Sequence, residues 1–327
     1  MLNTAIEDKI RYRRTFLAVS KFGTIIGMGL MFLGFSIAAP NIFPTPLNMV
    51  NIINQASLAA IIAGGLTIAL VSGEMDLSIA FLASFAGVFV TGLMVNQNLP
   101  MWISIIATLA ACVLIGMLNG IIITKLKVNA VVATLGTGSI IVGLTFAYAQ
   151  GVPIASGLPR AFQQLAIGRT IGVPNNILIM VIVLALLWLF LNYTEWGVQL
   201  RAIGGNPVAA RLSGISVDRI KILGLCIASF CAGVTGILLA SLIGSGTSAA
   251  ADGYLMPAFA AVFLGSATLR DGDFHIVGTL IGVFFIQIGF NGLAILGAPS
   301  FVQFFFRGGI LVIAVGLSSV ARIIANK

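Results

Sequence analysis

Charged residues are scarce in this chain. They make up 8% of its 327 residues, whereas about 25% is usual in a soluble domain. Hydrophobic residues reach 59%, and the mean hydropathy is +1.12. A single globular core could not bury this much apolar surface, so lipid must be the solvent. The composition therefore excludes a soluble protein and predicts an all-α, polytopic bundle of transmembrane helices.

Residues that carry chemistry are scarce as well. The 3 cysteines lie inside apolar runs and there is only 1 histidine, so no metal site or disulfide is predicted. No lysine follows a glycine, which excludes the GxxxxGK[ST] phosphate loop, and there is no HExxH motif. We expect no catalytic residue, metal or cofactor in the chain itself. If it moves a solute uphill, the energy must come from a partner or an ion gradient.

Ten apolar runs approach or exceed the roughly 20 residues that a membrane crossing needs. The eighth is short and contains glycine, so it is either a crossing or a broken, re-entrant helix. The ten ranges are Phe22–Ala39, Val50–Ser72, Ser78–Val95, Met101–Thr124, Ala130–Ala149, Asn176–Tyr193, Ile220–Leu242, Leu255–Leu269, Ile276–Leu296 and Phe301–Val320.

The basic residues orient these helices. With the N-terminus in the cytoplasm, all of them fall on the cytoplasmic side except Arg160 and Arg169 outside and Arg307 within the last run. The positive-inside rule therefore favours ten crossings with both termini in the cytoplasm, and the excess of positive charge needs no nucleic acid to explain it. The predicted domains are a basic N-terminal segment (1–21), one transmembrane domain (22–320) and a cytoplasmic tail (321–327).

The longest polar segment on the predicted cytoplasmic side is Thr194–Lys221. Asn206 is a favourable N-cap, and Pro207 suits the first helical position, where its missing N–H costs nothing. Val208–Ser213 supply about two turns, and Gly214 suits the left-handed position after a helix. The segment predicts a short capped helix that docks against a cytoplasmic partner, although an ordinary polar loop has a similar composition.

Polar residues at the edge of the apolar runs, or inside them, are functional candidates. A carboxylate near the hydrocarbon region is costly, which draws attention to Glu74 and Asp76. The structural alternative is that Gly73 ends one helix and Asp76 caps the next. Neutral amides inside the runs either bond helix to helix or line a path for translocation. They are Asn54, Gln55, Asn119, Gln287 and Asn291.

Glycines at four-residue spacing predict close helix packing, either within the chain or between two copies of it. The spacing is common in membrane helices, so it is weak support for a dimer. The pairs are Gly23/Gly27, Gly116/Gly120 and Gly278/Gly282.

Four stretches of the chain are informative together: SGEMDLS (72–78), NGIIITKLKVNAVVATLG (119–136), AIGGNPVAARLSGI (202–215), and AAVFLGSATL followed by GTLIGVFF (260–285). In this order they resemble the ribose-type sugar permeases of ABC importers, and the third closely resembles the cytoplasmic loop of that family. The resemblance extends from the second helix to the last. It implies a multi-pass permease subunit of an ATP-driven importer in the bacterial cytoplasmic (inner) membrane.

The resemblance also implies partners and a substrate class. A cytoplasmic ATP-binding subunit, which would hold ATP and magnesium, docks on the loop helix. A periplasmic or lipid-anchored sugar-binding protein delivers a small sugar or sugar-like solute, and a second permease copy or paralogue completes the pore. By resemblance, the coupling element comprises Gly204, Gly205, Asn206, Pro207, Ala209, Ala210, Arg211 and Gly214. Arg211 would supply an ion pair to the docked subunit.

The alternative is a secondary transporter that works alone on an ion gradient. Such carriers have inverted repeats and ionisable groups at the bilayer midplane. Here SGEMDL (72–77) and DGDFHI (271–276) are only faintly alike, and both are predicted on the cytoplasmic side, so they are not inverted. The turn at 269–275 has acids where relatives tend to have a glycine-rich basic turn. No family role is therefore carried over to that turn.

Overall fold

The computed structural model describes residues 22–269 and 272–325, and these are almost entirely helical. The predicted segment 1–21, residues 270 and 271 of the atypical turn, and the last two residues of the tail lie outside them. The all-α prediction is confirmed for the described residues. The helices are α1 (Phe22–Ala38), α2 (Pro46–Val71), α3 (Ile79–Val95), α4 (Met101–Thr124), α5 (Ala130–Ala149), α6 (Arg160–Ile167), α7 (Asn175–Tyr193), α8 (Glu195–Gly205), α9 (Pro207–Leu212), α10 (Val217–Ile243), α11 (Leu255–Ala267), α12 (Ile276–Ile295) and α13 (Ser300–Ala325).

Each of the ten predicted ranges coincides with a helix, and the ends differ by a few residues. The start of α2 shows why they differ. Pro46 occupies the first helical position, and the Thr45 hydroxyl accepts a hydrogen bond from the Asn48 amide at 3.3 Å. This Thr–Pro cap starts the helix four residues before the predicted Val50.

Six helices of the described chain are long and apolar enough to cross a membrane: α2, α4, α5, α7, α10 and α12. Three shorter apolar helices are Phe22–Ala38, Ile79–Val95 and Ser300–Gly316. The eighth predicted range is the 13-residue α11. A helix of that length extends about 20 Å, whereas the hydrocarbon core is about 30 Å thick. The count of ten crossings and the cytoplasmic termini stay predictions.

The chain divides into two compact units. Unit 1 consists of Met1–Ala56 with Met256–Lys327, and unit 2 of Ser57–Leu255. In unit 1, the Phe43 ring packs against Phe32 and Phe35, with centroids 5.5 and 5.3 Å apart. Phe35 in turn covers Gly292 of α12. This aromatic cluster joins α1, the start of α2 and α12.

In unit 2, α10 is the central helix and packs mainly against α3 and α4. Gly116 and Gly120 of α4 lie directly against Ser229 and Ile222 of α10, so a side chain on either glycine would separate the helices. In unit 1, the glycines at 278 and 282 lie in the same way against α11. Two of the three predicted glycine seams therefore lie within the chain.

Residues 150–175 between α5 and α7 are folded. They contain α6 and a hairpin of two short strands, β1 (Arg169–Thr170) and β2 (Val173–Pro174). Phe162 of α6 is fully buried, and the Ser241 hydroxyl of α10 donates to its carbonyl oxygen at 2.6 Å. This region thus packs onto one end of α10.

Candidate coupling site

The polar segment Thr194–Lys221 folds into two helices before α10 begins. The first, α8, was not predicted. The Thr194 hydroxyl caps it by accepting a hydrogen bond from the Gly197 amide at 3.2 Å. Glu195 lies in the first turn, where a negative charge interacts favourably with the helix dipole.

The second helix, α9, begins as predicted. The Asn206 side-chain oxygen accepts hydrogen bonds from the Val208 and Ala209 amides, both at 3.0 Å. Pro207 occupies the first helical position. The predicted N-cap is confirmed, and it satisfies two amides that would otherwise lack partners.

The end of α9 is also as predicted. Gly214 has φ = 85°, a left-handed conformation that glycine adopts without strain. Its amide donates to the Arg211 carbonyl, and the Ile215 amide donates to the Ala210 carbonyl, each at 3.1 Å. These two bonds form a Schellman motif. Because both ends are fixed by local hydrogen bonds, α9 is a well-defined helix in spite of its six residues.

The outer face of α9 is apolar and accessible. Leu212 is 85% exposed and Val208 68%, and Ala209 beside them is exposed too. Ala210 is 4% exposed and points towards the rest of unit 2. Of the two predicted alanines, therefore, only Ala209 is available to a docked subunit. Val208 and Leu212, which the sequence did not single out, supply most of the apolar surface.

The adjacent glycines of α8 lie in different surroundings. Gly204 lies directly against the Val71 carbonyl at the end of α2, where even one additional carbon atom would collide. Nothing lies within 4 Å of the position that a side chain on Gly205 would take. Gly204 therefore permits close contact between α8 and α2, whereas the structure gives Gly205 no packing role.

Arg211 forms an ion pair within the chain. Its Nη2 lies 3.2 Å from Oδ1 of Asp218 at the start of α10. Lys125 after α4 contacts the other oxygen of Asp218 at 2.8 Å, and Lys127 lies at 4.0 Å. This set is the Asp218 cluster: one carboxylate and three cations that join α9, α10 and the connection between α4 and α5. Asp218 was not predicted as a site residue.

The SGEMDLS segment between α2 and α3 is fixed by a second ion pair. Gly73, with φ = 85°, follows the end of α2 as predicted. Glu74 then forms a hydrogen-bonded ion pair with Lys221 of α10. The two side chains are 10% and 19% exposed. This pair anchors the segment to the same helix that carries Asp218.

Asp76 does not cap α3 in the way that the sequence suggested. Ser78 is the N-cap residue, and Oδ1 of Asp76 accepts from the Ser78 amide at 2.9 Å and from its hydroxyl at 2.5 Å. The Asn119 amide of α4 donates to the Ser78 hydroxyl at 3.0 Å. Asp76 is fully buried, and this desolvation raises the pKa of its carboxyl, although the bonds from Ser78 partly oppose it.

The remaining predicted amides lie in unit 1. Asn291 of α12 exchanges two hydrogen bonds with Asn48 of α2, at 2.9 and 3.1 Å. Gln287 donates to Gln55 at 2.7 Å. Asn54 is half-buried on α2. The candidate polar residues thus form two groups: Glu74, Asp76 and Asn119 belong to unit 2, and the four amides Asn54, Gln55, Gln287 and Asn291 belong to unit 1.

Comparison with known proteins identifies the family. A family model described as "branched-chain amino acid transport system / permease component" matches residues 48–315. The ribose import permease RbsC of Bacillus subtilis is 36% identical over 298 residues, which cover 91% of this chain and 92% of the relative. RbsC of Escherichia coli K12 is 36% identical over 283 residues, 86% of this chain and 88% of the relative. The L-arabinose transport permease AraH of Escherichia coli K12 is 33% identical over 295 residues, 90% and 89%. The chain therefore belongs to this family of transport-system permease components.

Proposed function

We propose that the chain is the membrane-spanning permease subunit of an ATP-driven importer for a small sugar or sugar-like solute. The relatives named for ribose and L-arabinose transport support this substrate class, because they align over about nine tenths of the chain. ATP and magnesium are bound by a separate cytoplasmic subunit. An external binding protein delivers the solute, and a second permease copy or paralogue completes the pore in the cell inner membrane.

The observation that carries the proposal is the geometry of α8 and α9. Leu212, Val208 and Ala209 offer a docking surface on α9. Behind it, Gly204 lies against the end of α2, and Arg211 bonds to Asp218 of α10. A partner that moves this helix pair therefore acts directly on two long apolar helices. We assign Gly204, Asn206, Pro207, Ala209, Arg211 and Gly214 to this coupling element, together with Val208, Leu212 and Asp218.

The charges around this element support the proposed orientation. Lys125, Lys127 and Arg211 surround Asp218, and Lys221 lies one turn further along α10. These basic residues gather at one end of α10, which the positive-inside rule places in the cytoplasm. We retain ten crossings with both termini on that side, and α11 counts as a short or broken crossing.

The test is reconstitution of the permease in liposomes with the candidate ATPase subunit and the external binding protein. Leu212→Asp places a charge in the centre of the docking surface. It should reduce recovery of the ATPase with the permease at least tenfold and abolish stimulation by the loaded binding protein. The matched control is Leu296→Asp between α12 and α13, where an exposed leucine is predicted on the external side.

Two results would contradict the proposal. One is recovery of the ATPase that is equal in wild type and Leu212→Asp. The other is a wild-type permease that recruits no ATPase and accumulates solute on an ion gradient, as a secondary transporter does.

A further inference from the structure

Two glutamines meet near the middle of two apolar helices of unit 1. Gln55 is the tenth residue of α2 and Gln287 the twelfth of α12, so they lie roughly 14 and 17 Å from the starts of their helices. Both helices are long and apolar enough to span a membrane. With a hydrocarbon core about 30 Å thick, the pair lies at a depth where lipid offers no hydrogen-bond partner.

The hydrogen bonds of this pair are incomplete. Gln287 Nε2 donates to Gln55 Oε1, which leaves Gln55 Nε2 and Gln287 Oε1 without a partner among the described residues. Asn51, one turn before Gln55 on the same face of α2, is exposed, and its side chain bonds to no residue of the described chain. Three carboxamides thus have unused donors and acceptors on partly exposed surface.

The exposed surface of α13, in the same unit, is different. Its most exposed large side chains are apolar, among them Phe304, Phe305 and Val312. Such a surface suits acyl chains, whereas unpaired carboxamides facing acyl chains would be costly. The Asn51 and Gln55 face of α2 is therefore not a lipid-facing surface.

A buried contact joins the same two helices about two turns before Gln55 on α2. Asn48 of α2 and Asn291 of α12 are 7% and 9% exposed and bond to each other twice. The separation of the Gln55 and Gln287 side chains is set by their own hydrogen bond, and the asparagine pair adds stability to the same two helices.

We propose that Asn51, Gln55 and Gln287 form a subsite that hydrogen-bonds the hydroxyl groups of a sugar as it crosses the membrane. The inference rests on the proposed import function. A carboxamide both donates and accepts, as a hydroxyl does, so adjacent amides match adjacent hydroxyls. The amides carry no net charge, which matches an uncharged solute such as a sugar. Each hydrogen bond to an amide replaces one that the sugar makes to water, so the net gain per bond is small. The sugar can therefore leave the subsite again.

The test uses the complete transporter (permease, ATPase subunit and binding protein) in liposomes, with D-ribose and L-arabinose as probes. Gln55→Leu and Gln287→Leu should reduce uptake about tenfold at saturating loaded binding protein. ATP hydrolysis stimulated by that protein should change less than twofold. The matched control is Asn48→Leu, which removes a buried amide between the same two helices. Asn48→Leu should lower the stability of the permease, and uptake and stimulated ATP hydrolysis should fall by similar factors.

The alternative is that a second copy of the permease covers the Asn51 and Gln55 face of α2. The variant Gln55→Cys distinguishes such a contact from a sugar path. A sugar path predicts that a water-soluble methanethiosulfonate reagent modifies this cysteine and that the transported sugar slows the reaction. Oxidative cross-linking of two copies without such modification would overturn the subsite.

The two proposals can fail separately. Suppose that the wild-type complex takes up either sugar. If the glutamine variants then take up as much sugar as the wild type, or lose uptake and ATP hydrolysis together as Asn48→Leu does, only the subsite is overturned. A wild-type chain that recruits no ATPase and takes up neither sugar overturns the import function and the subsite with it.

Discussion

Two ion pairs on neighbouring turns of α10 differ in their exposure to water. The Asp218 side chain is 25% exposed, and its partners Lys125 and Arg211 are 60% and 61% exposed. Three residues further along, Lys221 is 19% exposed and its partner Glu74 is 10% exposed. Both contacts join a carboxylate to basic side chains, and they differ in burial and in the number of cations, three around Asp218 and one at Glu74.

The difference indicates separate roles. Exposed pairs contribute about 0–1 kcal/mol, because water and salt weaken their attraction. When one member of a buried pair is removed, the uncompensated charge costs about 3–5 kcal/mol. The Glu74–Lys221 pair therefore fixes the SGEMDLS segment to α10. The contact between Arg211 and Asp218 can break and reform at small cost, which suits the proposed movement of α9 with an ATPase subunit.

The largest effect is expected for the buried pair. Lys221→Met should lower the free energy of unfolding by about 3–5 kcal/mol, because it leaves the Glu74 carboxylate buried without a partner. Denaturant titration of the purified protein in detergent micelles measures this. The double variant Glu74→Gln with Lys221→Met removes both charges and should recover most of the loss. If Lys221→Met alone were as stable as wild type, the contrast with Asp218 would disappear.

A small effect is expected for the exposed pair. In a double-mutant cycle, Asp218→Asn and Arg211→Gln should show a coupling free energy below about 1 kcal/mol, and this value should decrease as salt is raised. Asp218→Asn should nevertheless reduce the stimulation of ATP hydrolysis by the loaded binding protein, since α9 loses its direct bond to α10. A coupling above about 2 kcal/mol that does not depend on salt would mean that the two pairs do not differ.

Local signals made much of this structure predictable. The apolar runs located the long helices, because lipid requires continuous apolar segments. Asn206, Pro207 and Gly214 predicted α9, since caps depend on residues within one or two turns. The signals for α8 were also present, although that helix was not predicted: Thr194 precedes Glu195, and Trp196, Leu200 and Ile203 recur at helical spacing.

Contacts between distant residues could not be predicted. Glu74 and Lys221 are 147 positions apart, and no local pattern relates them. Arg211 was expected to pair with another subunit, and its bond to Asp218 depends on how α9 folds back onto α10. One of the two interpretations of Asp76 made it the cap of α3, because it precedes that helix, whereas Ser78 holds that position and bonds to Asp76.

The outer face of α9 is the surface that we propose a cytoplasmic ATPase subunit covers. The direct measurement is the rate at which a water-soluble thiol reagent modifies Leu212→Cys, with the permease alone and in complex with the ATPase. Cys112 and Cys231 are buried and Cys226 is partly buried, which keeps the background low. Leu296→Cys is the control. We predict a rate at least tenfold lower in the complex and no change at the control position. Equal rates with and without the ATPase would contradict the account.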